Sequence, residues 1–429
     1  MACLGVLKYV KAGRQGHAQA KKLVSRVCIS GVVTIVMSVF KSSLNRSLLI
    51  SALATFLLRA SHATSLPFNR TECQAPTTDP LQGCPLGTLL VGTNATNTSS
   101  SFINIQSAIL SLPHDNSSAT ILILPGVYEE QLNITRPGPL NLLGQTESPH
   151  NASFNTVSVI WHEATGNDVN TFDNAYTSVL TIAPTLESSL TGSGPTGYAV
   201  PANTSFGTSD FRAYNLDFTN DYLPYSAGPS LALGVSYANA AFYHTRFYSY
   251  QDTVYVGKRG NAYFHQCVIA GQTDFLYGFG TAWIENSTLL LRGCGGGITA
   301  WKGTNTTTPN KYGVYVHASS VVPANSSIAA DIKGKCSLGR PWNSLHRSIF
   351  AQTYLSEAIR AEGYTAWGSS EPRVDAVTFM AEFDDFGPGW NLGGRKAGNV
   401  TRVLTQEDWY SFSGPEKVFE DGAAWVDEE

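Results

Sequence analysis

The sequence is poor in charge: Asp, Glu, Lys and Arg together make up 14% of 429 residues. Helical bundles and coiled coils need many charged residues on their solvated faces, so the composition argues against them. The first 63 residues contain no Asp or Glu at all. Their apolar runs are each shorter than the roughly 20 residues that a spanning helix requires. No Cys-x-x-Cys and no Cys/His pair has the spacing of a metal site, so neither zinc nor any other cofactor is expected.

What is abundant points to β structure. Glycine (39 residues), aromatics (11%) and Ser/Thr/Asn-rich stretches dominate. This favours an all-β, turn-rich fold over a helical one. Charge is unevenly placed. Residues 1–63 carry nine Lys/Arg, which leaves 19 basic and 32 acidic residues beyond them, a net charge of −13. Nucleic acid is therefore excluded as a partner. A polyanionic substrate would be repelled unless its charges were masked, for instance as methyl esters.

The basic N-terminal region reads as a targeting segment. From Met37, Lys41 and Arg46 form a basic lead, 48–58 an apolar stretch, and Ser61-His-Ala63 a small-residue end. That is a signal-peptide layout over 37–63 with cleavage after Ala63. Residues 27–40 form a second apolar run, so a membrane anchor or re-entrant hairpin is the rival reading. The expectation is initiation at Met37, secretion and no stable membrane partner. Eleven N-x-Ser/Thr sequons lie beyond it, at Asn69, Asn94, Asn97, Asn116, Asn133, Asn151, Asn203, Asn286, Asn305, Asn325 and Asn399, a density that suits a secreted glycoprotein. Five cysteines remain in the mature region. Cys73–Cys84 and Cys294–Cys336 are the expected bridges, with Cys267, inside an apolar strand pattern, left as a buried thiol.

Residues 64–100 are a polar lead-in, 101–412 one domain, and 413–429 an acidic, peripheral tail. Within the domain, short apolar strands alternate with Gly, Asn and Pro. A repeat is concealed in the middle. The segment from Asn239 to Tyr255 aligns with the segment from Asn261 to Tyr277 at a constant offset of 22, and Thr281 opens a looser third copy. Phe242 matches Phe264, Asp252 matches Asp274, and Val254 matches Leu276. A period of this length made of several strands, with no helix between, predicts a β-solenoid. Matched residues would then stack about 4.8 Å apart.

Stacking sets two carboxylates, Asp252 and Asp274, side by side. Two such groups cannot both ionise easily, and the pair could supply a nucleophile and a general acid/base. Taken alone, the repeat equally allows two aspartates that merely cap equivalent turns. The flanking residues decide between these. Ser249-Tyr-Gln-Asp-Thr-Val-Tyr-Val256, Thr273-Asp-Phe-Leu-Tyr-Gly278 and Leu338-Gly-Arg-Pro-Trp342 resemble, in order and spacing, the motifs of the pectin methylesterase family. Looser echoes are Gly126-Val-Tyr-Glu-Glu130, Ile298-Thr-Ala-Trp-Lys-Gly303 and Phe386-Gly-Pro-Gly389. The resemblance implies a right-handed parallel β-helix over about 100–412, a monomer, and the hydrolysis of methyl esters of pectin.

It also implies roles. Asp274 would attack the ester carbonyl, and Asp252 would serve as acid and then base. Gln251 would face the oxyanion, and Arg340 would pair with Asp274. Trp342 would offer a flat face to a sugar ring, with Tyr248, Tyr277, Trp301 and Phe275 as looser candidates; for Phe275 core packing is the stronger expectation. One position departs from the family pattern. Where the family has a Gln oxyanion donor one coil earlier, this chain has Pro229, which has no donor at all. Ser230 or Gln272 would have to substitute, or activity would fall. Two alternatives follow. One is a catalytically weak pectin-binding protein. The other is a lyase or hydrolase on the same fold, which the missing Asn-Thr-Asp, Gly-His-Gly and Arg-Ile-Lys segments argue against.

Overall fold

The structure is a computed structural model, and it describes residues 69–92, 101–166, 171–192, 201, 203–303, 311–420 and 422–427. The signal-peptide segment, Met37 and the sequons at Asn94, Asn97 and Asn305 lie outside the described residues.

Each coil is built from three short strands. In the central coil these are Asn239–Tyr243, Arg246–Tyr248 and Val254–Val256, followed in the next by Asn261–His265, Val268–Thr273 and Leu276–Gly278. The strands stack into three parallel sheets of twelve, eight and six strands. Asn239 pairs with Asn261, Arg246 with Val268 and Val254 with Leu276, each 22 residues on. The third copy also stacks, with Asn261 against Thr281. This is a parallel β-helix, as expected from the repeat.

The corners explain why strands this short suffice. Between the first and second strands, one residue per coil turns the chain in the left-handed region: Asn215, His244, Gln266, Asn286, Ala318, Gln352 and Asp384, with φ between 46° and 54°. Asn and Asp tolerate that region best among non-glycine residues. Asp252 (φ 60°) and Asp274 (φ 47°) hold the same conformation at the next corner, between the second and third strands. The two aspartates therefore do form equivalent turns, and the turns aim both side chains out of the coil.

Inward residues form ladders. Phe242 stacks on Phe264 with ring centroids 5.0 Å apart, and Phe218 stacks on Phe247 at 5.6 Å. Cys73–Cys84 and Cys294–Cys336 are bridged, and Cys267 is a buried thiol outside both bridges, as read from the sequence. The tail lies at the periphery but is anchored there: Val418, Phe419 and Trp425 are buried against the outer face of the twelve-stranded sheet, alongside Tyr243, Trp283 and Trp409. Asp427 reaches Arg212 and Tyr214. The apolar residues between its acidic ones determine where it goes.

Candidate active site

The second corner of the solenoid carries the site. The Asp252 N–H donates to Thr273 O at 3.0 Å, and the Asp274 N–H donates to Gly297 O at 2.7 Å, so three successive coils fix the two aspartates. Both are buried, with relative exposures of 8% and 7%.

Arg340 joins them from 66 residues further along the chain. Its segment continues the third sheet, since Gly339 bridges to Thr299 and Arg340 N–H donates to Thr299 O. A Cβ on Gly339 would fall 2.0 Å from Thr299 Oγ1, so the close approach requires glycine. Arg340 Nε donates to Asp274 Oδ1 at 3.0 Å and Nη2 to Oδ2 at 2.7 Å. The Gly297 N–H adds a third donor to Oδ1 at 2.9 Å. The guanidinium also lies on the Trp367 ring, with Cζ 4.0 Å from the centroid.

These contacts make the two carboxyls unequal. Burial raises Asp274 above its ordinary value, and the hydrogen bonds and charge of Arg340 and the Gly297 N–H offset this only in part. Asp252 is pushed well above the usual carboxylate range by burial first and by the charge of Asp274 second, with Arg340 opposing them. Of the pair, Asp274 ionises first and Asp252 keeps its proton.

Gln251 sits one residue before the acid. Its Oε1 accepts from Ser226 Oγ at 3.0 Å, which turns its Nε2 donors away from that contact. Ser230 lies in register beneath it, donating its N–H to Gln251 O at 3.1 Å. The Ser230 hydroxyl is buried against Ser249 Oγ at 3.0 Å, so it does not replace the donor missing at Pro229. Gln272 is half-buried beside the glycine run 295–297.

The aromatic candidates divide. Trp301 is 1% exposed, packs inside the coil and donates its indole N–H to Gly280 O at 3.1 Å. It is therefore a core residue rather than a sugar contact. In the ladder Ala300 pairs with the outward Tyr277, and alternation turns the next residue inward. Phe275 is core as well. Tyr277 and Trp342 lie together on the outer face of the third sheet, ring centroids 5.6 Å apart, with Tyr255 and Phe279. Trp342 is only 8% exposed, and the Lys302 ammonium stands 3.4 Å from its ring centroid. The open flat face expected of it is thus largely covered. Burial, with Lys258 nearby, lowers Lys302 to about 7. Tyr248 is half-buried on the outer face of the second sheet, between Arg246 and Arg292.

The sequence reading missed three contributors. Asn174, which opens the short 3-10 helix Asn174–Thr177 ahead of the strand Leu180–Ile182, donates its amide to Asp252 Oδ2 at 3.0 Å and to Tyr277 OH at 3.1 Å. Ser226 orients Gln251, as above. Gly296, with φ of 66°, leaves room for the ion pair: a Cβ there would sit 2.5 Å from Asp274 Oδ1 and 2.7 Å from Arg340 Cζ. Only the glycine run 295–297 was a visible signal, since such runs mark close approach.

Comparison with known proteins agrees with this geometry. Residues 177–419 match the family model described as Pectinesterase. Probable pectinesterase A of Aspergillus flavus is 29% identical over 350 residues, 82% of this chain and 91% of that protein. Pectinesterase 31 of Arabidopsis thaliana is 30% identical over 292 residues, 68% of this chain and 81% of that protein. Among solved structures, a deglycosylated pectin methylesterase from Aspergillus niger superposes with a TM-score of 0.63 at 25% identity, over 80% of this chain and 98% of that one. With the family model spanning more than half of its length, the chain belongs to the pectinesterase family.

Proposed function

We propose that this enzyme hydrolyses the methyl esters of pectin, with Asp274 as nucleophile and Asp252 as acid and base. The observation that carries this reading is the inequality of two stacked carboxyls, one clamped by Arg340 and the other held protonated by burial. The Asp274 carboxylate attacks the ester carbonyl, and Gln251 donates to the oxyanion that forms. As the carbonyl–methoxy bond breaks, Asp252 gives its proton to the departing oxygen, and methanol leaves. The remaining acyl group is bound to Asp274 as an anhydride. Asp252, now ionised, takes a proton from water. The hydroxide so formed attacks the acyl carbon, releases the uronic acid and restores the Asp274 carboxylate.

Tyr248, Arg340 and the part of Trp342 that Lys302 leaves uncovered are the proposed sugar contacts, with Tyr277, at 3% exposure, backing them, and the enzyme acts as a secreted monomer without a cofactor. Two disulfides support secretion. So does the exposure of every sequon asparagine among the described residues: Asn69, Asn116, Asn133, Asn151, Asn203, Asn286, Asn325 and Asn399. The competing reading, a protein that binds pectin with little turnover, draws only on Pro229.

Methanol release from highly methylated pectin separates the readings. Wild type is expected to release methanol, and Asp274→Asn to lose activity by on the order of 10³-fold or more. Substantial activity in Asp274→Asn would rule out this mechanism. Unsaturated products would mean a lyase, and binding without either product would mean a binding protein.

A further inference from the structure

We propose that Asn174 is a positioning residue that decides which oxygen of Asp252 carries the catalytic proton. The inference rests on the acid/base role given to Asp252 above.

The side chain of Asn174 is held at both ends. Its Oδ1 accepts from Thr165 Oγ1 at 2.9 Å, and its two amide hydrogens serve Asp252 Oδ2 at 3.0 Å and Tyr277 OH at 3.1 Å. The backbone beneath it is equally constrained. Asp173 is 3% exposed, and its carboxylate accepts from the N–H groups of Ala175, Thr191 and Gly192 and from the Thr191 hydroxyl. The Thr165 N–H donates to Pro229 O at 2.8 Å, which ties this loop to the coil below the aspartates. The amide is thus delivered to Asp252 by a fixed frame.

An amide donor has a specific consequence for a protonated carboxyl. The carbonyl oxygen of a carboxylic acid accepts far better than its hydroxyl oxygen. A donor fixed on Oδ2 makes Oδ2 the carbonyl oxygen and leaves Oδ1 as the one that bears the proton. In the first half-reaction that proton passes from Oδ1 to the leaving methoxy oxygen. In the second, Oδ1 recovers one from water. The amide neither gains nor loses a proton, so both half-reactions begin from one orientation. The charged and titratable groups facing Asp252 are Asp274, Arg340 and Tyr277. Asn174 is the neutral donor among them.

Asn174→Asp is the informative variant. It keeps the shape and can still accept from Thr165, but it replaces the donor with an acceptor. Methanol release is measured against pH for wild type, Asn174→Asp and Asn174→Ala. Both variants are expected to lose roughly 10- to 100-fold in kcat, since misplacing a reacting group costs about that much. KM is expected to stay within about twofold, because the lost contact acts on the reacting group rather than on bound pectin. In Asn174→Asp the alkaline limb of kcat/KM also moves to higher pH, because a second carboxylate disfavours ionisation of Asp252. A merely structural asparagine would instead lower stability and leave the folded Asn174→Ala enzyme with wild-type kcat. Wild-type kcat in either variant, or an unmoved limb in Asn174→Asp, overturns the inference and leaves the esterase reading intact. Absence of methanol from the wild type itself would overturn both.

Discussion

Asp252 and Asp274 occupy the same left-handed turn in successive coils, yet Arg340 clamps one carboxyl while the other is pushed well above the usual carboxylate range. Their difference comes from neighbours rather than from backbone. Arg340 and the Gly297 N–H reach Asp274, whereas Asp252 receives a neutral amide. The raised Asp252 carboxyl has a stability cost with a definite sign. Its folded-state value lies above the unfolded one, so its stabilising share is complete below about pH 4, the unfolded value, and is lost as pH rises through the folded value. Asp252→Asn cannot ionise. It is therefore expected to melt above wild type at neutral pH, with the gap closing as the solution is acidified. Methanol release should fall on the order of 10²–10⁴-fold in the same variant. Thermal melts at several pH values check the first, and the methanol assay checks the second. Arg340, Trp342 and both aspartates were readable because each lies in a short contiguous motif. Asn174 was not, because its link to Asp252 spans 78 residues and no local pattern announces it.

At the level of elements, the site depends on how closely the coils approach. The turn holding Gly296 passes directly over the Asp274–Arg340 pair. Gly296→Ala would add a methyl group where no space exists, at a backbone angle that disfavours side chains, for about 1–3 kcal/mol of strain. The expected outcome is a folded protein in which the ion pair is displaced, with kcat reduced roughly 10²-fold. Methanol assays together with thermal unfolding distinguish this from global unfolding. Trp301 illustrates how coil length sets which face a residue takes. The stacked third sheet steps 22 residues from Val254 to Leu276 but 23 from Leu276 to Thr299. One residue of drift in a two-residue alternation exchanges inside for outside.

Across the whole molecule, the twelve-stranded sheet needs a cover that the coils themselves do not provide. Its outer face presents Tyr214, Tyr243, Tyr263, Trp283 and Tyr315, and the C-terminal residues Val418, Phe419 and Trp425 close over part of it. Burying side chains of this size is worth about 1.5–3 kcal/mol each. Truncation after Phe412 is therefore expected to lower Tm by several degrees, given about 2–4 °C per kcal/mol, and to promote association through the uncovered aromatics. Calorimetry and light scattering test this. The catalytic corner lies on a different edge, so residual activity at low temperature should persist.

Signals in the sequence alone suffice for the solenoid, its 22-residue repeat, the stacked aspartates and the short Cys73–Cys84 bridge. Each of these is a periodic or locally encoded feature, and a parallel β-helix repeats its local rules from coil to coil. The fold alone sets how Arg340, Gly297 and Asn174 surround the two carboxyls, which aromatics lie on the outer face of the third sheet and where the acidic tail packs. Those outcomes depend on contacts between distant segments: Arg340 and Gly297 around Asp274, the Asn174 loop at Asp252, and Trp425 on the far sheet. Burial and through-space charge set them, and neither has a sequence spacing.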